Sequence, residues 1–178
     1  MTVTKLTINR APVMTLWAAV VAERLGFDHD DALTLAKVVT GLNAQAKGQR
    51  LGIYEPAPIK ERVQTLRGQP AGTTFSVELM GRSIPVVSTA DGVRATQDGK
   101  PVDPAAVERY LTSKFGDGLA DVRAAMQELA AAFSEDQLAD SAYHLYEKFR
   151  PAIPPGVKGW GAAGELDLAY IRLLAAPQ

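Results

Sequence analysis

The chain has no cysteine, only two histidines, few aromatic residues (7%) and almost no net charge. Each scarcity removes a class of protein. Without cysteine there is no disulfide scaffold, no Cys-ligated zinc site, no iron–sulfur centre and no thiol nucleophile. A formal charge of −1, from 19 basic and 20 acidic residues, gives no general attraction to DNA or to anionic lipid. At 47% apolar and 22% charged residues, the chain is too apolar and too neutral to be disordered. The longest apolar stretch, Ala11 to Ala22, is interrupted by Thr15 and is shorter than the roughly 18 residues of a membrane span. Thr4, Thr7 and Asn9 break up the region before it and no cleavage site follows, so no secretory signal is read. The expectation is a soluble cytoplasmic protein, 1–178 forming one domain, with no membrane partner.

What is present is mainly helical periodicity. Residues 9–26 read as a helix with Asn9 at the N-cap, Pro12 in the first turn and Gly26 as the stop. Val13, Leu16, Trp17, Val20, Val21 and Leu25 recur at helical spacing, and the reverse face is Ala18, Ala19 and Ala22. A helix with so little polar surface is either central in a bundle or buried against a partner. The next helix starts at Asp28, with Asp31 placed as in a capping box, Phe27 as staple and a stripe of Leu35, Val38, Val39, Leu42 and Ala46. Loop signals follow from Gly48 to Pro58, then a short amphipathic helix from Ile59 to Arg67. The 9–67 region is thus a helical hairpin plus a short helix.

The period then changes to that of strands. Phe75, Val77 and Leu79 alternate with Ser76, Glu78 and Met80, and turns at Gly81-Arg82 and Asp91-Gly92 lead into Ile84–Ser88 and Val93–Thr96. These make a three-stranded antiparallel meander over 73–97. Pro85 requires an edge or a bulge, because proline cannot donate to a central ladder. Helical signals return over 103–175. Asp103-Pro104 opens one helix, Asp117 another, Ser134 with Gln137 forms a capping box for a third, and Glu165 to Ala175 makes the last. The fold class expected is α+β, mainly α: a helical bundle with a small three-stranded β-meander inserted mid-chain.

Several motif-like segments fail on their context. Gly159-Trp160-Gly161-Ala162-Ala163-Gly164 matches the dinucleotide fingerprint, but no buried strand precedes it and no second βα unit can follow. Asp28-His29-Asp30-Asp31 has the residue types of a hard-metal site. Helix N-termini favour acids without any metal, and adjacent residues there point apart, so no metal and no cofactor is expected. The hairpin from Ala22 to Val39 has helix-turn-helix spacing, and Asp31–Lys37 resembles a histone-type hairpin over a small part of the chain. The acidic start of its second helix would repel phosphates. Neither His29 nor His144 stands beside a serine in a nucleophile elbow.

Charge is unevenly distributed. Residues 37–68 carry a net +4, from Lys37, Lys47, Arg50, Lys60, Arg62 and Arg67 against Glu55 and Glu61, and residues 101–142 carry a net −5. Ion pairing between segments accounts for this most simply; a basic face for an acidic partner is the alternative. Three functional readings follow. The leading one is a non-catalytic binding or regulatory protein acting through protein–protein contacts, homodimeric through the apolar Val13, Trp17, Val20 and Val21. The second is a nucleic-acid-associated protein using the six basic residues of 37–67. The third is a small-ligand protein or enzyme with a pocket near His144, Tyr146 and Trp160.

Overall fold

The computed structural model describes residues 5–45, 72–80, 82–90, 92–97, 100–151 and 163–175. The element order is β1 (Lys5–Asn9), α1 (Arg10–Arg24), α2 (His29–Gln45), β2 (Thr74–Leu79), β3 (Arg82–Thr89), β4 (Gly92–Gln97), β5 (Lys100–Pro101), α3 (Pro104–Phe115), α4 (Leu119–Ala131), α5 (Glu135–Phe149), β6 (Ala163–Asp167) and α6 (Leu168–Ala175). The described chain is mostly helical with two antiparallel sheets. No helix among the described residues is long and apolar enough to cross a membrane.

α1 is the axis of the molecule. It packs on α2, α3, α4 and α5, and every residue from Pro12 to Ala22 is buried. Its all-round apolar character is therefore the mark of a helix enclosed by its own chain. Gly26, at φ 113°, supplies the left-handed stop, and the Phe27 amide closes back on the Ala22 carbonyl at 3.0 Å. Asn9 occupies the cap position of α1, but its side chain makes no capping bond. α2 begins at His29, directly after Asp28.

The other helix starts follow their local chemistry. The Asp103 carboxylate accepts from the Ala105 amide at 3.0 Å, with Pro104 at the first position of α3. Ser134 and Gln137 form both arms of the capping box of α5, at 3.1 and 3.2 Å. α5 turns Leu138, Ala142, Leu145, Tyr146 and Phe149 inward. There the Trp17 indole N–H donates to the Ala142 carbonyl at 2.9 Å, and its ring meets Phe149 edge-on with centroids 5.3 Å apart. α4 starts at Leu119, after a turn of 3-10 helix over Gly116–Gly118, rather than at Asp117.

The sheets depart from the three-stranded expectation. The larger sheet has four strands in the order β2-β3-β4-β5, the fourth being the two-residue Lys100–Pro101 paired with Gln97 and Thr96. A second sheet of two strands pairs β1 with β6, Ile8 opposite Gly164 and Leu6 opposite Leu166. Residues 163–167 are accordingly strand, and only Leu168–Ala175 is helix. Gly164 of the fingerprint-like segment thus sits in a ladder and does not open a helix.

Pro85 is reconciled by register. It pairs with Ser76 of β2, whereas the pairing of β3 with β4 runs only from Val86 to Thr89. β3 is central over its second half, and Pro85 lies just beyond the end of the β3–β4 pairing, where its carbonyl accepts from the Thr96 hydroxyl at 3.3 Å, so the missing N–H interrupts no paired stretch. The expected short helix at 59–67, the loop at 48–58 and Trp160 lie outside the described residues.

Candidate functional site

The sheet is tied to the helices through the first turn of α2. The Asp31 carboxylate is 2.6 Å from the Arg94 guanidinium of β4, both side chains being buried. One turn on, the Thr34 hydroxyl donates to the Asp31 carbonyl and accepts from the Ala95 amide at 3.0 Å. The cluster Asp28-His29-Asp30-Asp31 is therefore dispersed. Asp31 faces β4, while the His29 ring reaches Glu23 of α1 at 3.0 Å and Glu108 of α3 at 3.8 Å. Among the described residues no group of three His, Asp or Glu is placed to share a metal ion.

With α2 anchored on the sheet, α3 crosses it and leaves a concavity on each side. The larger is an open groove of about 620 Å³. α2 contributes His29, Asp30 and Leu33 to it, and α3 contributes Pro104 and Ala105 near its start, then Glu108, Arg109, Thr112 and Ser113 along one stripe. Leu33 is buried and gives an apolar floor, while the rim carries both signs of charge. Glu108 is itself held by Arg123 of α4 at 3.3 Å. His29, between Glu23 and Glu108, thus links α1, α2 and α3 beside the groove.

The smaller concavity, about 250 Å³, lies on the other side of α3 and is more enclosed. Its walls are Lys37, Thr40 and Gly41 of α2, Ala106, Val107 and Tyr110 of α3, Thr15 of α1 and Gln97 of β4. Thr15 and Thr40 are buried and stand 2.9 Å apart, oxygen to oxygen. Each hydroxyl also lies 2.9 Å from a carbonyl one turn earlier in its own helix, Ala11 and Ala36 respectively. Burial pushes the Tyr110 phenol above its usual range, and the phenol is both a donor and an acceptor. Lys114 stands 6.0 Å from the centre of the Tyr110 ring.

Of the residues singled out from sequence, Lys37 is on the exposed rim of this pocket. Lys47, Arg50, Lys60, Arg62 and Arg67 lie outside the described residues. His144 and Tyr146 are not brought together. Tyr146 is fully buried, and His144 is on the opposite, solvent side of α5 with 70% of its side chain exposed. Two residues apart on a helix are separated by roughly 200° of rotation, which prevents a shared pocket. Val13, Trp17, Val20 and Val21 are all inside the core of the single chain, so their apolar surface is already covered without a partner.

The sequence reading missed Thr40, Gln97 and Tyr110 as site residues and met Thr15 only as a break in an apolar run. A usable signal was present. Thr15 interrupts the apolar face of α1, and Thr34 and Thr40 that of α2, and buried hydroxyls need partners. Comparison with protein-family models, with curated proteins and with solved structures finds no match for the chain.

Proposed function

We propose that the chain is a single-domain, cytoplasmic, non-catalytic binding protein that engages another polypeptide through the groove between α2 and α3. The reading is carried by the form of that groove. It is open along its length, has an apolar floor at Leu33, Pro104 and Ala105, and has a rim of mixed charge at His29, Asp30, Glu108 and Arg109. Its volume is about 620 Å³. A helix or extended segment can lay apolar side chains on such a floor and pair its polar groups with the rim. Thr112 and Ser113 are exposed beside it and add hydroxyl donors and acceptors.

Self-association through α1 loses its basis, because that helix is enclosed. A second copy remains one possible polypeptide for the groove, and the test separates it from other partners. A photo-crosslinking side chain at position 112 is expected to give one discrete adduct in cells, and Ala105→Arg, which fills the floor with a cation, is expected to abolish it. An adduct at twice the chain mass assigns the groove to a homodimer, and any other discrete adduct assigns it to a second protein. The reading fails if no adduct forms, or if the adduct persists unchanged in Ala105→Arg.

A further inference from the structure

The second concavity has a chemistry of its own, independent of the groove. Its deep end is the pair of buried hydroxyls on Thr15 and Thr40. Two hydroxyl protons serve three close oxygen contacts there: Thr15 to Ala11, Thr40 to Ala36, and one hydroxyl to the other. Both protons are therefore used within the protein. What the pair presents to the cavity is oxygen lone pairs, so the floor accepts hydrogen bonds and does not donate them.

The mouth is the reverse. Lys37 is the one charged side chain among the described lining residues, and it is exposed at the rim with no carboxylate within ion-pair distance among the described residues. Lys114 adds a second cation near Tyr110. The Gln97 amide lies close beside Gly41, with its nitrogen 3.4 Å from where a Cβ on that glycine would stand. It supplies a further donor at the wall. The Tyr110 phenol, which also lines the pocket, supplies another.

We propose that this pocket binds a small hydroxy-carboxylic acid, its carboxylate at Lys37 and its hydroxyl donating to the Thr15–Thr40 pair. Each end of the ligand is fixed by the opposite character of the two ends of the pocket. The size agrees, since about 250 Å³ is below the roughly 300–1,000 Å³ of sites for drug-sized ligands. Ala106 and Val107 give the apolar wall between the two ends. Gly41 keeps that space open, because any side chain there would enter it.

The test titrates isotopically labelled protein with glycolate, lactate and γ-hydroxybutyrate, following the backbone amides of Thr40, Gly41 and Gln97 by NMR. At least one acid is expected to shift these amides in a saturable way. Its neutral amide is expected to bind about tenfold more weakly, the value of one charge-assisted hydrogen bond, and its analogue lacking the hydroxyl about fivefold more weakly, the value of one neutral hydrogen bond. Lys37→Gln is expected to remove the preference for acid over amide. Gly41→Leu is expected to abolish the shifts, and Gly41→Ala, which adds one methyl at ordinary contact distance and improves helix propensity, to weaken them while the fold is kept. The proposal is overturned if none of the three acids shifts these amides at millimolar concentration, if the amides bind as well as the acids, or if Gly41→Ala leaves the titrations unchanged.

Discussion

Asp31 and Arg94 form a buried ion pair that joins the first turn of α2 to the middle of β4. Oδ1 and Nη1 are 2.6 Å apart, with 8% and 11% of the two side chains exposed. The Arg94 guanidinium also donates to the Val93 carbonyl at 3.1 Å, so its charge is held from two sides. A pair of this kind does little for stability relative to an apolar contact, but removing one partner leaves the other charge buried alone. Arg94→Met and Asp31→Ala are each expected to lower unfolding stability by about 3–5 kcal/mol in urea titrations. The double variant Asp31→Leu with Arg94→Met is expected to be more stable than either. A double variant as unstable as the sum of the singles would contradict this account.

Gly92 is what allows the pair to sit there. Its φ of 131° is in the region that residues with a side chain rarely adopt, and a Cβ would stand 2.8 Å from the Asp31 carboxylate and 3.2 Å from the Arg94 guanidinium. Gly92→Ala therefore combines backbone strain with displacement of the ion pair. The expected cost is about 1–3 kcal/mol for the backbone alone. In the Asp31→Leu/Arg94→Met background the contact part of the penalty changes while the backbone part stays. Comparing Gly92→Ala in the two backgrounds by chemical unfolding measures that difference.

The helices were legible in the sequence because their signals are local. Asp103-Pro104, Ser134 with Gln137, and Gly26 each fix a helix end within a few residues, and the inward rows of α3, α4 and α5 recur at helical spacing. The β1–β6 sheet was not legible, because its five-residue strands come from opposite ends of the chain and each runs directly into a helix. The alternation at Lys5-Leu6-Thr7-Ile8 is too short to stand out beside the apolar α1. β5 is two residues long and contains Pro101, too short for any alternation or propensity to mark it in the sequence. The same split applies to the candidate sites. The groove and the pocket both arise from how α3 crosses α2, a tertiary relationship that no spacing within either helix encodes.

Trp17 tests whether α1 is held as firmly as its burial implies. Its indole N–H satisfies the Ala142 carbonyl on α5, and the ring is fully buried against Phe149. Trp17→Phe removes the donor and leaves a space, and is expected to cost about 2–3 kcal/mol. Trp17→Ala is expected to cost about 3–5 kcal/mol. Equilibrium unfolding should show the two losses in that order, with the slope against denaturant unchanged. Near-equal losses would mean that the ring's volume matters little and α1 can shift to fill the gap.

Alkaline pH tests the same stretch of α5. Tyr146 is fully buried, and its hydroxyl donates to the Arg10 carbonyl at 3.4 Å, long for such a bond. Burial pushes its phenol far above the ordinary range, outweighing the opposing pull of the Arg150 and Arg10 cations. The sign follows from linkage. In the unfolded chain Tyr146 loses its proton near pH 10, whereas in the folded chain it keeps it, so the unfolded state binds fewer protons above that pH. The stability associated with the neutral phenol is complete below about pH 10 and is lost steadily as the pH rises beyond it. Tyr146→Phe removes this term and only a weak hydrogen bond. Its unfolding free energy is therefore expected to lie slightly below that of the wild type at neutral pH and to fall less steeply above pH 10. Denaturant titrations across that range, with phenolate absorbance followed in parallel, check both parts. A wild-type phenol at position 146 that ionises before the protein unfolds would show that α5 opens to solvent at its buried end.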